Sequence, residues 1–232
     1  MDLTPAASAL NDLFASFDEA VLQGYHTIAL ERDFIMNPLM RLFTLLGEHG
    51  LLMFALAAVL LCFPKTRKAG ICVFGAICCG ALVTNVILKD LIARPRPFEA
   101  SELFRSFWTY VGSFPESDYS FPSGHATSSM AGILALFLAS PWKRKWVAPA
   151  FLFPFLVAVS RNYLVAHYPS DVIAGLLIGA ASAGIAYAIT LGIWKLLRSH
   201  PDVPLFSFLL RFDIRHPVSS WKRKVEQNEE SL

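Results

Sequence analysis

Residues 172–194 read VIAGLLIGAASAGIAYAITLGIW, an apolar stretch of 23 residues without one charged side chain. About 20 apolar residues carry a helix across the hydrocarbon core of a bilayer. Gly179, Ala181, Ser182 and Gly184 are small enough to let neighbouring helices approach closely. Outward from this stretch the pattern recurs. Residues 42–63, 69–88, 122–142 and 146–166 are also long and apolar, broken by Glu48 and His49 early in the first and by Arg161 late in the last. The spacing predicts an all-α, polytopic membrane bundle with about five transmembrane helices.

Composition points the same way. Of 232 residues, 55% are hydrophobic and 16% charged, where a soluble domain carries about 25% charged residues. So few polar side chains cannot wrap several all-apolar helices in water. The net charge of +2 gives no bulk electrostatic case for a nucleic-acid partner. Cys62, Cys72, Cys78 and Cys79 sit inside apolar runs, away from His or Asp at metal-ligand spacing, and read as small hydrophobes. No metal and no cofactor is expected. The opening MDLTPAASALNDLF lacks a basic region followed by an apolar stretch, so no cleavable leader is expected.

Basic residues set the orientation. Lys65, Arg67 and Lys68 join the first two spans, Lys143, Arg144 and Lys145 join the third and fourth, and the tail carries Lys195, Arg198, Arg211, Arg215, Lys222, Arg223 and Lys224. With five spans these regions share one side, which the positive-inside rule makes cytoplasmic. Residues 89–121, residues 161–171 and the acidic amino terminus then face outside. In residues 1–41, Leu10, Leu13, Phe14, Phe17 and Val21 recur at helical spacing. They predict an amphipathic segment on the outer membrane surface or packed on the protein's outer face. The expected organisation is 1–41 amphipathic segment, 42–196 membrane domain, and 197–232 cytoplasmic basic tail.

Three polar clusters fall at the outer face. They are Lys89 with Arg94-Pro95-Arg96-Pro97, then Pro122-Ser123-Gly124-His125, then Ser160-Arg161 with His167 and Asp171. Charges at membrane depth are costly unless they pair or serve a function. Pro95 and Pro97 end the preceding helix and hold the arginines in an extended segment. A helix amino terminus at Ser123 and Gly124 offers free N–H groups to an anion. Asp171, four residues after His167, can reach its imidazole across one turn. Cations and amides in this number suit a phosphoryl group, whose equatorial oxygens need stabilising. One histidine could attack phosphorus while the other protonates the departing oxygen. Asp171 is the one clear acidic candidate, whereas a two-metal site needs several carboxylates.

Lys89-(six residues)-Arg96-Pro97, Pro122-Ser123-Gly124-His125 and Ser160-Arg161-(five residues)-His167-(three residues)-Asp171 resemble the three-part signature of the type 2 phosphatidic acid phosphatase family, at its internal spacings. The resemblance covers about residues 42–194. It implies His167 as nucleophile forming a phosphohistidine, Asp171 orienting it, and His125 as general acid. It further implies Lys89, Arg96, Ser123, Gly124 and Arg161 as phosphate holders. Membrane members commonly have six spans; here the first is absent or replaced by the amphipathic segment. The implied function is metal-independent hydrolysis of a lipid phosphate or diphosphate, with a lipid phosphotransferase or a non-catalytic lipid-binding protein as alternatives. By resemblance the substrate is a polyprenyl diphosphate, phosphatidylglycerophosphate or phosphatidic acid. An outward site in a bacterial cell membrane favours the first. The aromatic residues Phe98, Phe104, Phe107, Trp108, Tyr110, Phe114, Tyr119 and Phe121 could line a lipid's entry or simply pack the loop. Oligomeric state is not legible.

Overall fold

The computed structural model describes residues 3–200, 202–211 and 213–215, and every element in that range is helical. Helix α1 (Pro5–Gly47) opens with Thr4, whose side chain accepts from the Ala7 N–H at 3.1 Å. It kinks at Arg32, whose φ of −141° leaves the helical region. The chain then turns at His49 and Gly50, both left-handed (φ 49° and 68°), before α2 (Leu51–Leu61). Two left-handed residues interrupt the hydrogen-bond ladder. The apolar run 42–63 is therefore divided between the end of α1 and α2, rather than forming the single helix its hydropathy predicts.

Helix α3 (Arg67–Ala81) continues through a π-helical stretch, Leu82–Leu88, into α4 (Lys89–Ile92), where Ala93 at φ 51° stops it. Two short helices follow, α5 (Pro97–Ala100) and α6 (Glu102–Tyr110). A loop leads to α7 (Gly124–Ala139), which Ser123 caps, and then to α8 (Arg144–Val147). After a 3₁₀ turn come α9 (Leu152–Tyr163), α10 (Pro169–Ser199) and α11 (Pro204–Arg211). Lys222, Arg223 and Lys224 of the expected basic tail lie outside the described residues. Arg67 is buried, its guanidinium donating to the Leu61 and Leu209 carbonyls at 2.9 and 2.7 Å.

Helix α7 is central and touches α1, α2, α3, α9 and α10. Its buried face is made of small residues such as Ala126, Thr127, Ser129, Ala131 and Gly132. Large apolar side chains point outward instead: Val86, Leu91, Phe155, Leu177 and Ile189 are all exposed. Interfaces of small residues with an apolar exterior are the pattern expected when lipid, not water, surrounds the bundle. Three helical stretches among the described residues, Pro5–Leu61, Arg67–Ala100 and Pro169–Ser199, are long and apolar enough to cross a membrane; Gly124–Ala139 is apolar but shorter.

The amino-terminal half of α1 has its apolar residues on two faces. Leu13 (74% exposed) and Phe17 (43%) point outward, while Asp18 and Leu22 are buried. The helix packs against α9 and α10. Of the small residues marked in 172–194, Gly179 and Ser182 meet neighbours, whereas Ala181 and Gly184 face outward. Gly175 joins the contact instead. A Cβ on Gly175 would lie 2.5 Å from the Ser123 carbonyl oxygen, and one on Gly179 2.5 Å from the Thr127 carbonyl oxygen. Both approaches are to backbone, which cannot swing aside.

Gly175→Ala and Gly179→Ala should each destabilise the detergent-solubilised protein, since overpacking costs roughly 1–3 kcal/mol. Gly184→Ala, with nothing within 4 Å, should be neutral. Thermal unfolding of the three variants checks this, and equal midpoints would contradict the packing.

Candidate active site

The three distant clusters meet at one end of the bundle, around a cavity of about 540 Å³. Lys89, Arg96, Gly124, His125 and His167 line it. Ser123, Arg161 and Asp171 stand immediately behind, each 0% exposed. Each arrives by a local device. The π-helical stretch delivers Lys89, whose backbone N–H bonds to the Thr84 carbonyl five residues back. Pro95 and Pro97 frame Arg96, which is extended (φ −72°, ψ 156°). Ser123 caps α7, and its own N–H donates to the Asp171 carbonyl at 3.1 Å, tying the second cluster to the third.

His167 lies in the short connection between α9 and α10. The turn is made by Val165 at φ 56°, an uncommon conformation for a β-branched residue. Its Nδ1 is 2.7 Å from the Ser120 carbonyl oxygen. A carbonyl only accepts, so Nδ1 carries the proton and Nε2 holds the lone pair. Nε2 sits 3.4 Å from Arg96 Nη1, on the cavity side. The proposed direct bridge from Asp171 is replaced by a relay. The Asp171 carboxylate is 3.8 Å from Nδ1, beyond hydrogen-bond reach, and accepts from the Ser120 hydroxyl and from the Tyr168 N–H at 3.0 Å. α10 begins at Pro169, as that proline predicts, and places Asp171 in its first turn.

Lys89, Arg96 and Arg161 converge, and two carboxylates from the loop before α7 balance them. Asp118 pairs with Lys89 and Arg96; Glu116 pairs with Arg161 and, at 3.0 Å, with Arg96. Arg161 also donates to Thr44 of α1. Burial pushes the Asp118 carboxyl up, but Lys89 and Arg96 outweigh it and hold the group below its ordinary range. Burial pushes the His167 imidazole well below its ordinary value, and Arg96, Arg161 and Lys89 push it further. The ring is therefore neutral at pH 7, with its Nε2 lone pair accepting from Arg96 Nη1 at 3.4 Å within a cluster of cations.

Sequence reasoning did not assign Glu116, Asp118, Ser120 or Arg94 to this site, each of which contacts it, nor Asp18, which reaches it through Arg94 and Ser170. The first three lie in the loop read only for its aromatics. Arg94 was visible as the first arginine of Arg94-Pro95-Arg96, but nothing local marks Asp18.

The PAP2 superfamily pattern matches residues 69–195. The chain is 38% identical to the undecaprenyl-diphosphatase of Sulfolobus acidocaldarius over 123 residues, 53% of this chain and 56% of that protein. It is 34% identical to the decaprenylphosphoryl-5-phosphoribose phosphatase of Mycobacterium tuberculosis over 62% of this chain and 74% of that one. A solved structure, the transmembrane PAP2-type phosphatidylglycerolphosphate phosphatase of Bacillus subtilis, superposes with a TM-score of 0.59 at 26% identity, covering 82% of this chain and 90% of that one. The chain spans about half the length of the Sulfolobus relative. Family pattern, helical architecture and apolar exterior agree: the chain is an integral membrane member of the PAP2 superfamily.

Proposed function

We propose that the protein is a metal-independent lipid phosphatase that hydrolyses a lipid phosphate or diphosphate through a phosphohistidine on His167. The observation that carries this reading is the Nε2 lone pair of a neutral, buried histidine facing Lys89, Arg96 and His125 across one cavity. In the first step Nε2 attacks phosphorus and the bond from phosphorus to the leaving oxygen breaks. His125 gives that oxygen its proton. In the second step His125 takes a proton from water, the water oxygen attacks phosphorus, the P–N bond breaks and phosphate departs. Lys89, Arg96, Arg161, the Ser123 hydroxyl and the Gly124 N–H stabilise the equatorial oxygens. Asp171 steadies the His167 ring through Ser120. A phosphoryl group entering the cavity takes over the cations from Glu116 and Asp118.

A polyprenyl diphosphate is the proposed substrate, ahead of phosphatidylglycerophosphate and phosphatidic acid. The Sulfolobus and Mycobacterium relatives, both named for prenyl-linked phosphates, support that order. The proposed topology puts the cavity outside and Lys65, Lys143 and the carboxyl terminus in the cytoplasm, following the positive-inside rule.

Phosphate release from the three lipids in detergent tests the reading. Wild type should be active without added metal and after EDTA, and His167→Ala should lose at least a thousandfold in kcat while staying folded. Near-normal turnover by that variant would remove the mechanism. The lowered basicity of His167 also has a kinetic sign. Its neutral form persists as pH falls and is lost only below the depressed pKa, so the acid limb of kcat/KM, corrected for substrate ionisation, should lie well under pH 6.5. A limb at or above 6.5 would contradict the assignment. For topology, a membrane-impermeant maleimide should label Ser117→Cys in intact cells and Lys143→Cys only after lysis; the reverse pattern inverts the orientation.

A further inference from the structure

A buried ionic network outside the cavity connects α1 to the stretch that presents His167. Arg94 uses every guanidinium nitrogen. Its Nη2 donates to Asp18 Oδ2 at 2.9 Å, its Nη1 to Ser170 Oγ at 2.8 Å and to Asp171, and its Nε to Asn11 Oδ1 at 2.8 Å. The guanidinium also lies 3.9 Å over the Tyr168 ring. Asp18 in turn accepts the Ser170 N–H at 2.8 Å and the Ser170 hydroxyl at 2.7 Å. Asp18, Arg94, Ser170 and Asp171 are all buried.

Two routes run from Arg94 to the imidazole. Through its side chain it holds Asp171, which accepts from the Ser120 hydroxyl. Through its backbone its carbonyl accepts the Ser120 N–H at 2.8 Å, and the Ser120 carbonyl accepts from His167 Nδ1 at 2.7 Å. Ser120 is thus fixed at both ends by groups that Arg94 holds. One turn beyond Asp18, Leu22 shares an apolar cluster with Val165 and Tyr168, on either side of His167.

We propose that Asp18, which lies outside the matched residues 69–195, is a positioning residue for the hydrolysis, acting through Arg94 and Ser170 on the segment that carries His167. The inference rests on the phosphatase reading above. Charge balance does not call for Asp18, because Arg94 and Asp171 already neutralise each other, and a buried carboxylate carries a desolvation cost. Nor is it needed to dock α1, which meets α9 through Ala29, Met40, Tyr163 and Leu164. The described bonds of Asp18 all end on Arg94 or Ser170, the groups that set Asp171 and Ser120 in place.

The test uses the full chain in detergent with a polyprenyl diphosphate, comparing Asp18→Asn, Asp18→Ala, Ser170→Ala and Asn11→Ala. Asp18→Asn should lower kcat at least tenfold with KM within about twofold, because binding cations are untouched. Asp18→Ala should lower it further, and Asn11→Ala, which removes one neutral bond, should stay within threefold. A purely structural anchor would lower the melting midpoint and leave kcat per folded molecule unchanged, and that result would overturn the proposal. If neither Asp18 variant inserts as folded protein, Ser170→Ala decides. A several-fold loss in kcat at constant KM supports the inference, and wild-type kcat overturns it. A wild type that releases phosphate from none of the lipids would overturn the phosphatase reading and this inference together.

Discussion

The structure depends on holding Lys89, Arg96 and Arg161 close together in a chain that has few charges and much apolar surface. Like charges brought together away from water repel strongly, and each also loses hydration. Such a cluster persists only where anions or acceptors meet it from several directions. Here they come from separate parts of the chain: Glu116 and Asp118 from the loop before α7, Thr44 from α1, and the Ala166 carbonyl beside His167. The helices are therefore not merely a membrane anchor for the site. Their ends supply the groups that make the clustering of charge tolerable, and a phosphoryl group is the kind of ligand to which such a cluster is already complementary.

Much of this was legible before any coordinates. The apolar runs announce helices, and Pro95, Pro97, Pro169 and Ser123 mark helix ends where α4, α5, α7 and α10 start or stop. The residues of the three motifs gather around one cavity or directly behind it, because each motif sits at a helix end. What could not be read depends on three-dimensional pairing. The spacing of His167 and Asp171 permits a direct contact, but a backbone carbonyl from Ser120, far away in sequence, takes the Nδ1 proton first. Periodicity placed Leu13 and Phe17 on one face of α1, but it cannot say which face turns inward. In the structure the face with Ala7, Asp18 and Leu22 turns inward, and Leu13 and Phe17 turn outward.

Small residues govern the closest helix contact. Helix α10 approaches α7 over Gly175 and Gly179, where side chains are missing rather than interlocked. That closeness extends from the core to the cavity, since the carbonyl nearest to Gly175 belongs to Ser123, at the helix end that faces the cavity. Packing between two helices and the placement of backbone donors at the site are one arrangement seen from opposite ends.

The widened turn at Leu82–Leu88 bears on how this chain tolerates change in length. A π-helical stretch holds one more residue in its loop of backbone than an α-helical turn does. It lets Asn85 and Lys89 both line the cavity while Thr84 stays buried against Thr127 at 3.1 Å. Deleting one residue between 82 and 88 would let the stretch close up into regular α geometry with little turn of what lies beyond, whereas forcing all of 82–88 into α geometry would swing everything beyond by roughly 100° about the axis. Lys89 would then face another sector, even with every residue of the three motifs still in place. In this stretch the wider backbone turn keeps the Lys89 ammonium group on the cavity side of the helix.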